Sequence, residues 1–490
     1  MTAPGPGPAS NTHTRHNNNY MRHTMSNTER YALAGTAPRP GVAPDSGQST
    51  ASPVVAKTSY RFLILALITI VLALSTGDRA ALSVAGSDMG KELGISAVEM
   101  GYLFSAFSWA YVIFLIPSGW LNDLIGSKRS MMLAVVVWSC FTVMMGLVHF
   151  IGLVVPLLLA LRFLLGAAES PVGPASGRII AAWFPSSERG VAGAIFNSAQ
   201  YLSLALFTPI MGWLCYRFGW EYVFIIMGLI GLGIAALWWK LYYLPIDHPK
   251  LNAEELEYIR AGDGLVDLES AKTKAAQTGK GLRLSEIGQL FRSRMLVGIF
   301  IAQYCITSIT WFFMTWFPIY LVKERGFDIL QAGFIAAIPA LCGLVGGISS
   351  GFISDRILKK TGNLSLARKT PITIGLLLSA SIILCNYASS EWLVIGLMSL
   401  AFFGKGFGSL GWTVVADTAP KELIGTTGGV FNAFGNSAGI VTPVVIGYLL
   451  QTTGSFEWAL IYVGAHGLVA VLSYWLIVGK IQRFALNSAT

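Results

Sequence analysis

Residues 60–84 read YRFLILALITIVLALSTGDRAALSV. This stretch is long enough to cross the hydrocarbon core of a bilayer, which takes about 20 mostly apolar residues in a helix. Similar stretches recur along the 490-residue chain, which has a mean hydropathy of +0.60 and only 12% charged residues. Soluble domains carry about twice that share of charge. The sequence therefore predicts an all-α membrane protein that crosses the bilayer many times.

The apolar stretches number twelve and define the organisation of the chain. We predict spans at 60–84, 98–121, 130–150, 153–175, 189–215, 220–243, 294–322, 331–354, 371–388, 391–416, 425–450 and 456–479. Two six-helix bundles are expected at 58–243 and 294–480, joined by a polar connector at 244–293 that contains a short amphipathic helix. A tail at 1–57 is rich in Pro, Gly, Asn and Ser, which predicts disorder. A second, short tail follows at 481–490.

The short loops on one side of the predicted membrane carry most of the cations. Lys128 and Arg129 follow span two, five cations within 356–369 follow span eight, and Lys480 and Arg483 follow span twelve. Loops rich in Lys and Arg stay in the cytoplasm. We therefore predict that both termini and the connector are cytoplasmic, which agrees with an even number of spans.

Two motifs recur at nearly the same offset and indicate an internal repeat. The residues Gly-Trp-Leu-Asn-Asp at 119–123 return as Gly-Phe-Ile-Ser-Asp at 351–355, and Gly-Ala-Ile-Phe-Asn at 193–197 returns as Gly-Gly-Val-Phe-Asn at 428–432. The offsets are 232 and 235 residues. Related halves in the same orientation place a central cavity between them near the bilayer midplane. The sequence thus predicts two pseudo-symmetric six-helix bundles around such a cavity.

Four charged side chains lie well inside the apolar spans of the first half, away from the span ends: Asp78, Arg79, Arg162 and Glu169. A charge at the bilayer centre costs several kcal/mol, so such residues indicate function. Arg162 and Glu169 are two helical turns apart and share one face of span four. Apolar surroundings favour a protonated carboxyl group and a nearby arginine favours the carboxylate, so a group balanced between them can carry a proton.

Chemistry divides the four charges into two roles. We predict that Asp78 and Glu169 carry protons and that Arg162 is the switchable partner of one of them. Because arginine stays charged, Arg79 suits the binding of an anionic substrate. The alternative is a structural ion-pair network that fixes the first bundle.

Polar and aromatic residues in other spans are candidates for substrate contacts. Lys405 lies within span ten, flanked by glycines; Trp412 and Asn432 lie in spans ten and eleven, and Tyr111 and Gln200 in the first half. Amides can bond the hydroxyl groups of a polyol, and a ring can pack on its C–H face. The alternatives are snorkelling of the lysine to the membrane surface and ordinary helix packing for the others.

The chain resembles the anion:cation symporter branch of the major facilitator superfamily over about residues 60 to 480. The resemblance rests on the repeated loop motif at 119–129 and 351–356 and on residues 78–80, 162–169, 183–190 and 196–200. It implies a twelve-span fold, proton-coupled import of sugar acids or other organic anions, and the same roles for the intramembrane charges. It further implies a monomer in the bacterial cytoplasmic (inner) membrane, in contact with lipid, with no cofactor.

Lys405 refines the expected substrate. A sugar acid with one carboxylate needs one cation, for which Arg79 serves, while a second cation suits a second carboxylate. The pattern around Lys405 and Trp412 is also similar to that of bacterial glucarate and galactarate transporters. We therefore favour an aldarate of that type. An aldonate such as galactonate, a hexuronate or another organic anion remains as the alternative.

Other classes of function find little support in the sequence. It has no Ser/His/Asp set, no metal-ligand spacing and no nucleotide-binding loop, which argues against an enzyme and against ATP-driven transport. No cluster of Lys and Arg is interleaved with aromatics, so no nucleic-acid partner is expected. A non-transporting ligand sensor is disfavoured by the complete set of buried charges.

Overall fold

The computed structural model describes residues 59–150, 154–268, 284–420 and 423–484, and these residues are almost entirely helical. The predicted tail at 1–57, the middle of the connector and the last six residues lie outside the described residues. Within the described part of the chain, twelve helices are long and apolar enough to cross a membrane. The prediction of twelve spans is therefore confirmed.

The spans are numbered one to twelve in chain order. Their bounds are Tyr60–Glu92, Ala97–Ile125, Ser127–Met145, Val154–Trp183, Arg189–Phe218, Trp220–Leu241, Arg294–Thr315, Ile329–Thr361, Leu364–Tyr387, Glu391–Thr418, Thr426–Thr453 and Glu457–Val478. Several helices continue past the predicted apolar stretch. Span one continues to Glu92, past the predicted end at residue 84. The added residues include polar ones, whose side chains water can satisfy beyond the apolar core of the bilayer.

The packing of the spans repeats between the two halves. In the first half, span one packs on span five, span two on span four, and span three on span six. In the second half, the same pairs form between seven and eleven, eight and ten, and nine and twelve. Spans two and eleven and spans five and eight join the halves. The repeat that the sequence motifs predict is thus visible in the helix contacts.

The halves meet most closely at one end of the bundle. We call the end that bears the connector the connector end, and the other the opposite end. Toward the opposite end, a Cβ atom built on Gly447 of span eleven would lie 2.6 Å from the Ala97 carbonyl oxygen of span two. One built on Gly333 of span eight would lie 2.7 Å from the Thr208 carbonyl oxygen of span five. Ser105 donates a 2.7 Å hydrogen bond to the Ile440 carbonyl oxygen. Glycine therefore permits backbone contact between the halves at this end.

Two spans are broken near their middles, at related positions. Span four consists of helices Val154–Glu169 and Val172–Trp183, and Pro171 disfavours a helical conformation at the residue before it. Span ten consists of helix Glu391–Gly406, a 3₁₀ turn at Phe407–Ser409 and helix Leu410–Thr418. The breaks place Glu169 and Lys405 at the ends of half-helices inside the membrane.

The connector contains the short helix that the sequence predicts, at Ala253–Ala261. Its Glu255 is fully buried and accepts hydrogen bonds from the Tyr60 amide and from Arg61 Nη1, both at 3.0 Å. Arg61 Nε also pairs with Glu188 at 3.0 Å. These bonds attach the connector helix to the start of span one and to the loop after span four.

Replacing Glu255 by alanine is expected to destabilise the protein. Removing one partner of a buried ion pair typically costs about 3–5 kcal/mol, and we expect the lower end because Glu188 still pairs with Arg61. The apparent Tm in detergent should fall. Glu254→Ala, at the exposed neighbouring position, is the matched control and should leave the Tm unchanged. Equal Tm values for the two variants would contradict the assigned role of Glu255.

Candidate functional site

The four charges predicted in the first half lie together inside it. We call Asp78, Arg79, Arg162 and Glu169 the charged cluster. Asp78, Arg162 and Glu169 are 2%, 1% and 0% exposed, so spans one and four carry these charges into the interior of the bundle. Such burial requires compensation from neighbouring groups.

Glu169 is held by two side chains of span one. Arg79 Nε donates to Glu169 Oε2 at 2.9 Å, and Ser75 Oγ donates to the same oxygen at 2.7 Å. Arg79 Nη2 also bonds Ser75 Oγ at 3.2 Å. One carboxylate oxygen therefore accepts two hydrogen bonds, one of them from a charged donor, which makes the contact strong.

Aromatic rings of span two lie beside the two arginines. The Arg79 guanidinium carbon lies 4.7 Å from the Phe107 ring centre and 4.9 Å from that of Tyr111. Arg162 lies 5.6 Å from the Phe107 centre, and its Nε donates to the Leu103 carbonyl oxygen at 3.4 Å. Cation–π contacts of this kind stabilise a buried guanidinium. Tyr111, predicted as a substrate contact, is thus a neighbour of Arg79.

Several polar atoms of the cluster make no hydrogen bond with a described residue. They are both carboxyl oxygens of Asp78, Oε1 of Glu169 and the two terminal nitrogens of Arg162. A buried donor or acceptor without a partner costs about 1–3 kcal/mol, and a charged one costs more. The charged cluster is therefore not a fully satisfied hydrogen-bond network among the described residues.

The structure pairs Glu169 with Arg79, and it places Arg162 against a backbone carbonyl. Asp78 and Arg79 are adjacent in the chain, but the carboxyl group of Asp78 makes no hydrogen bond with Arg79. Pairing of Arg162 with a carboxylate, and release of Arg79 to bind an anion, require an arrangement other than this one. Both stay predictions.

Lys405 reaches from the second half to the first. Its Nζ donates a 3.1 Å hydrogen bond to the hydroxyl of Tyr201 in span five, and lies 4.9 Å from the centre of that ring. Tyr201 directly follows Gln200, a predicted substrate contact that is exposed. The side chain of Lys405 therefore points toward the first half near the middle of the bundle, and not toward a membrane surface.

The remaining candidates form a group of rings and amides in the second half. Trp412 is half-exposed and packs edge-on against Phe431 at 4.9 Å. Asn432 accepts a hydrogen bond from Asn436 at 3.0 Å between their side chains. On the adjacent face, Gln303 of span seven bonds Thr307 at 3.3 Å. Rings and amides in this arrangement can contact the C–H face and the hydroxyls of a polyol.

Sequence reasoning missed several residues of the site. Ser75 and Phe107 contact the charged cluster, and Tyr201 is the partner of Lys405. The spacing of Ser75 and Arg79, one helical turn apart, is a signal that could have revealed the serine. No pattern within one span could have revealed the contact between Tyr201 and Lys405, because it joins the two halves.

Comparisons with known proteins place the chain in a family. Residues 68–367 match the Major Facilitator Superfamily. The chain is 52% identical to the probable galactarate/D-glucarate transporter GudP of Escherichia coli K12, an alignment that covers 89% of this chain and 97% of the relative. It is 41% identical to a D-galactonate transporter of Escherichia coli O6:H1, with coverage of 86% and 96%. The resemblance drawn from the motifs is confirmed.

Solved structures share the fold. A bacterial homologue of the human lysosomal transporter Spinster, in an inward-facing conformation, matches with a TM-score of 0.65 at 15% identity, over 86% of this chain and 98% of the other. A D-xylose-proton symporter matches with a TM-score of 0.63 at 16% identity, over 86% and 99%. The predicted twelve-span fold is confirmed, and so is the prediction that the chain is not an enzyme.

Proposed function

Because the chain belongs to the Major Facilitator Superfamily, whose members are transporters, we propose that it is a proton-coupled symporter that imports a sugar acid, favoured as a glucarate- or galactarate-type aldarate. The chain is a multi-pass membrane protein. We further propose that it works as a monomer in the bacterial inner membrane, with the connector end in the cytoplasm. In that orientation this arrangement is closed to the outside, and transport requires the opposite end to open.

The main support for proton coupling is the ion pair between Arg79 and the buried carboxylate of Glu169. When Glu169 is protonated, its attraction to Arg79 weakens and the guanidinium becomes available to an anion. Proton binding and anion binding at this site then favour each other, as coupled equilibria must. Asp78, whose carboxyl oxygens make no hydrogen bond with a described residue, is the second carboxyl that we assign to proton transfer.

The choice of an aldarate rests on the names of the relatives and on a count of charges. The two acids and two arginines of the charged cluster sum to zero, and Lys405 adds one positive charge. Protonation of one acid brings the total to +2, which balances a dicarboxylate. An aldonate, with one carboxylate, is the alternative that similarity to a D-galactonate transporter supports.

Uptake into proteoliposomes tests this function. We expect labelled glucarate to accumulate when the outside is acidic, and to equilibrate without accumulating when the pH is equal on both sides. Accumulation that ignores the pH gradient would contradict proton coupling. Counterflow separates a transporter from a sensor, because a sensor would bind the ligand without exchanging it across the membrane.

Lys405→Ala is expected to weaken glucarate uptake much more than galactonate uptake. Loss of a charged hydrogen bond costs about 1.5–3 kcal/mol, which corresponds to at least a tenfold rise in KM for the dicarboxylate. Galactonate should be affected less than threefold. Equal losses for both substrates would contradict the second cation as the basis of the choice.

A further inference from the structure

Lys405 and Tyr201 form a contact that joins the two halves at the middle of the bundle. Lys405 is the penultimate residue of the half-helix Glu391–Gly406, and the negative end of the helix dipole favours a cation there. Its Nζ donates to the Tyr201 hydroxyl at 3.1 Å. The lysine therefore lies at a helix end that favours a cation, and the polar group that it contacts is the hydroxyl of Tyr201.

An aromatic ring and a glycine surround the pair of Lys405 and Tyr201. Lys405 Nζ lies 5.3 Å from the ring centre of Phe402, and the Tyr201 and Phe402 rings meet edge-to-face at 5.9 Å. A Cβ atom built on Gly343 would lie 2.7 Å from Phe402 and 2.9 Å from Tyr201, so this glycine makes the space for both rings. Within the described part of the chain, no carboxylate forms an ion pair with Lys405.

We infer that Tyr201 and Lys405 together bind the second carboxylate of a dicarboxylate substrate, and that Tyr201 is a specificity-determining residue. An ammonium group offers three donors and a phenol offers one, while a carboxylate has about four acceptor positions. Without substrate, the phenol oxygen accepts from the lysine. With a carboxylate between them, both side chains donate to its oxygens, and the bond between the halves is replaced by two bonds to the ligand.

This arrangement separates substrates by chemistry. When a polyol with one carboxylate binds, the hydrogen bond between Lys405 and Tyr201 stays in place, and the polyol gains no hydrogen bond from this pair. A dicarboxylate gains the two new bonds and links span five to span ten through its own atoms. The inference rests on the proposed function, since it assigns the first carboxylate to Arg79.

Tyr201→Phe tests the inference because it removes only the hydroxyl and keeps the ring beside Lys405 and Phe402. Titration calorimetry of the purified full-length chain would measure Kd for glucarate and for galactonate. We expect Kd for glucarate to rise about tenfold, as for the loss of a hydrogen bond to a charged group, and Kd for galactonate to change less than twofold. Tyr216→Phe, an exposed tyrosine in the same span, is the matched control and should change neither.

A second variant distinguishes specificity from packing. On a Lys405→Met background, Tyr201→Phe should add little to the loss of glucarate affinity, because the two residues act on one carboxylate and their effects are not additive. Equal weakening of both ligands, fully additive effects, or an unchanged Kd for glucarate would each overturn the role of Tyr201 while leaving the proposed function standing. Failure of the unmodified protein to bind either ligand would overturn both.

Discussion

Proteoliposomes that contain Glu169→Gln are expected to exchange labelled for unlabelled substrate but not to accumulate it against a gradient. Glutamine resembles the protonated acid in shape and leaves Arg79 free to bind an anion. Glutamine cannot release a proton, so the proton gradient no longer drives accumulation of the substrate. One pH unit is worth about 1.4 kcal/mol per coupled proton, or about tenfold accumulation. In the variant the accumulation ratio should fall to about one.

Counterflow at equal pH is the measurement that separates lost coupling from lost folding. Glu169→Gln should retain counterflow, because binding and the conformational change remain. Glu391→Gln replaces an exposed glutamate at the start of span ten and is the matched control, with accumulation unchanged. If Glu169→Gln still drives accumulation that depends on the pH gradient, Glu169 is not a coupling residue.

The sequence was sufficient to predict the number of spans because the signal is strong. Each span needs about 20 apolar residues, and the bilayer excludes other backbone arrangements. The repeat is also visible in the sequence, because the motifs at 119–123 and 351–355 share their glycine and their aspartate at an offset of 232 residues. The breaks after Glu169 and Lys405 were not predicted, although Pro171 and the glycines around Lys405 are local signals for them.

The pairing inside the charged cluster could not be predicted from the sequence. Helix geometry places Arg162 and Glu169 on one face of span four, but it does not determine the tilt and rotation of span one beside it. The structure brings Arg79 and Ser75 of span one to Glu169 instead. Close contact between spans two and four contributes, since a Cβ atom on Gly166 would collide with the Phe107 carbonyl oxygen. This contact fixes Phe107, whose ring lies beside both arginines.

The contact of Tyr201 with Lys405 is also not predictable from the sequence, because it joins the two halves. The sequence predicts Gln200 as a substrate contact because an amide can bond the hydroxyls of a polyol, yet its neighbour Tyr201 is the residue that contacts Lys405. Contacts between the halves depend on which end of the bundle is closed. That property belongs to the conformation of the whole bundle and not to any one span. The opposite end is closed in this structure through glycines of facing spans, which leads to a prediction about the transport cycle.

Gly447→Leu is expected to shift the protein away from the arrangement closed at the opposite end, and to reduce transport severely. Its Cβ atom would lie 2.6 Å from the Ala97 carbonyl oxygen and 3.4 Å from Gly101 Cα, and backbone cannot yield as a flexible side chain can. Overpacking of this kind costs about 1–3 kcal/mol, which changes the ratio of two conformations about 5- to 150-fold. Because alternating access requires both conformations, the rate of transport should fall by a similar factor.

Thiol labelling reports the shift directly. Ile319 is buried where it touches the Gly86 position across the halves, so a cysteine at 319, in a chain without its native cysteines, probes the opposite end. A membrane-impermeant reagent applied from the side that the opposite end faces should label it faster when Gly447→Leu is present. Gly396→Leu is the control, because a Cβ atom there meets open space, and both labelling and transport should match the parent. Unchanged labelling together with normal transport would mean that contact between Gly447 and Ala97 does not close the opposite end. Faster labelling with lost transport would instead show that the contact at Gly447 closes the opposite end.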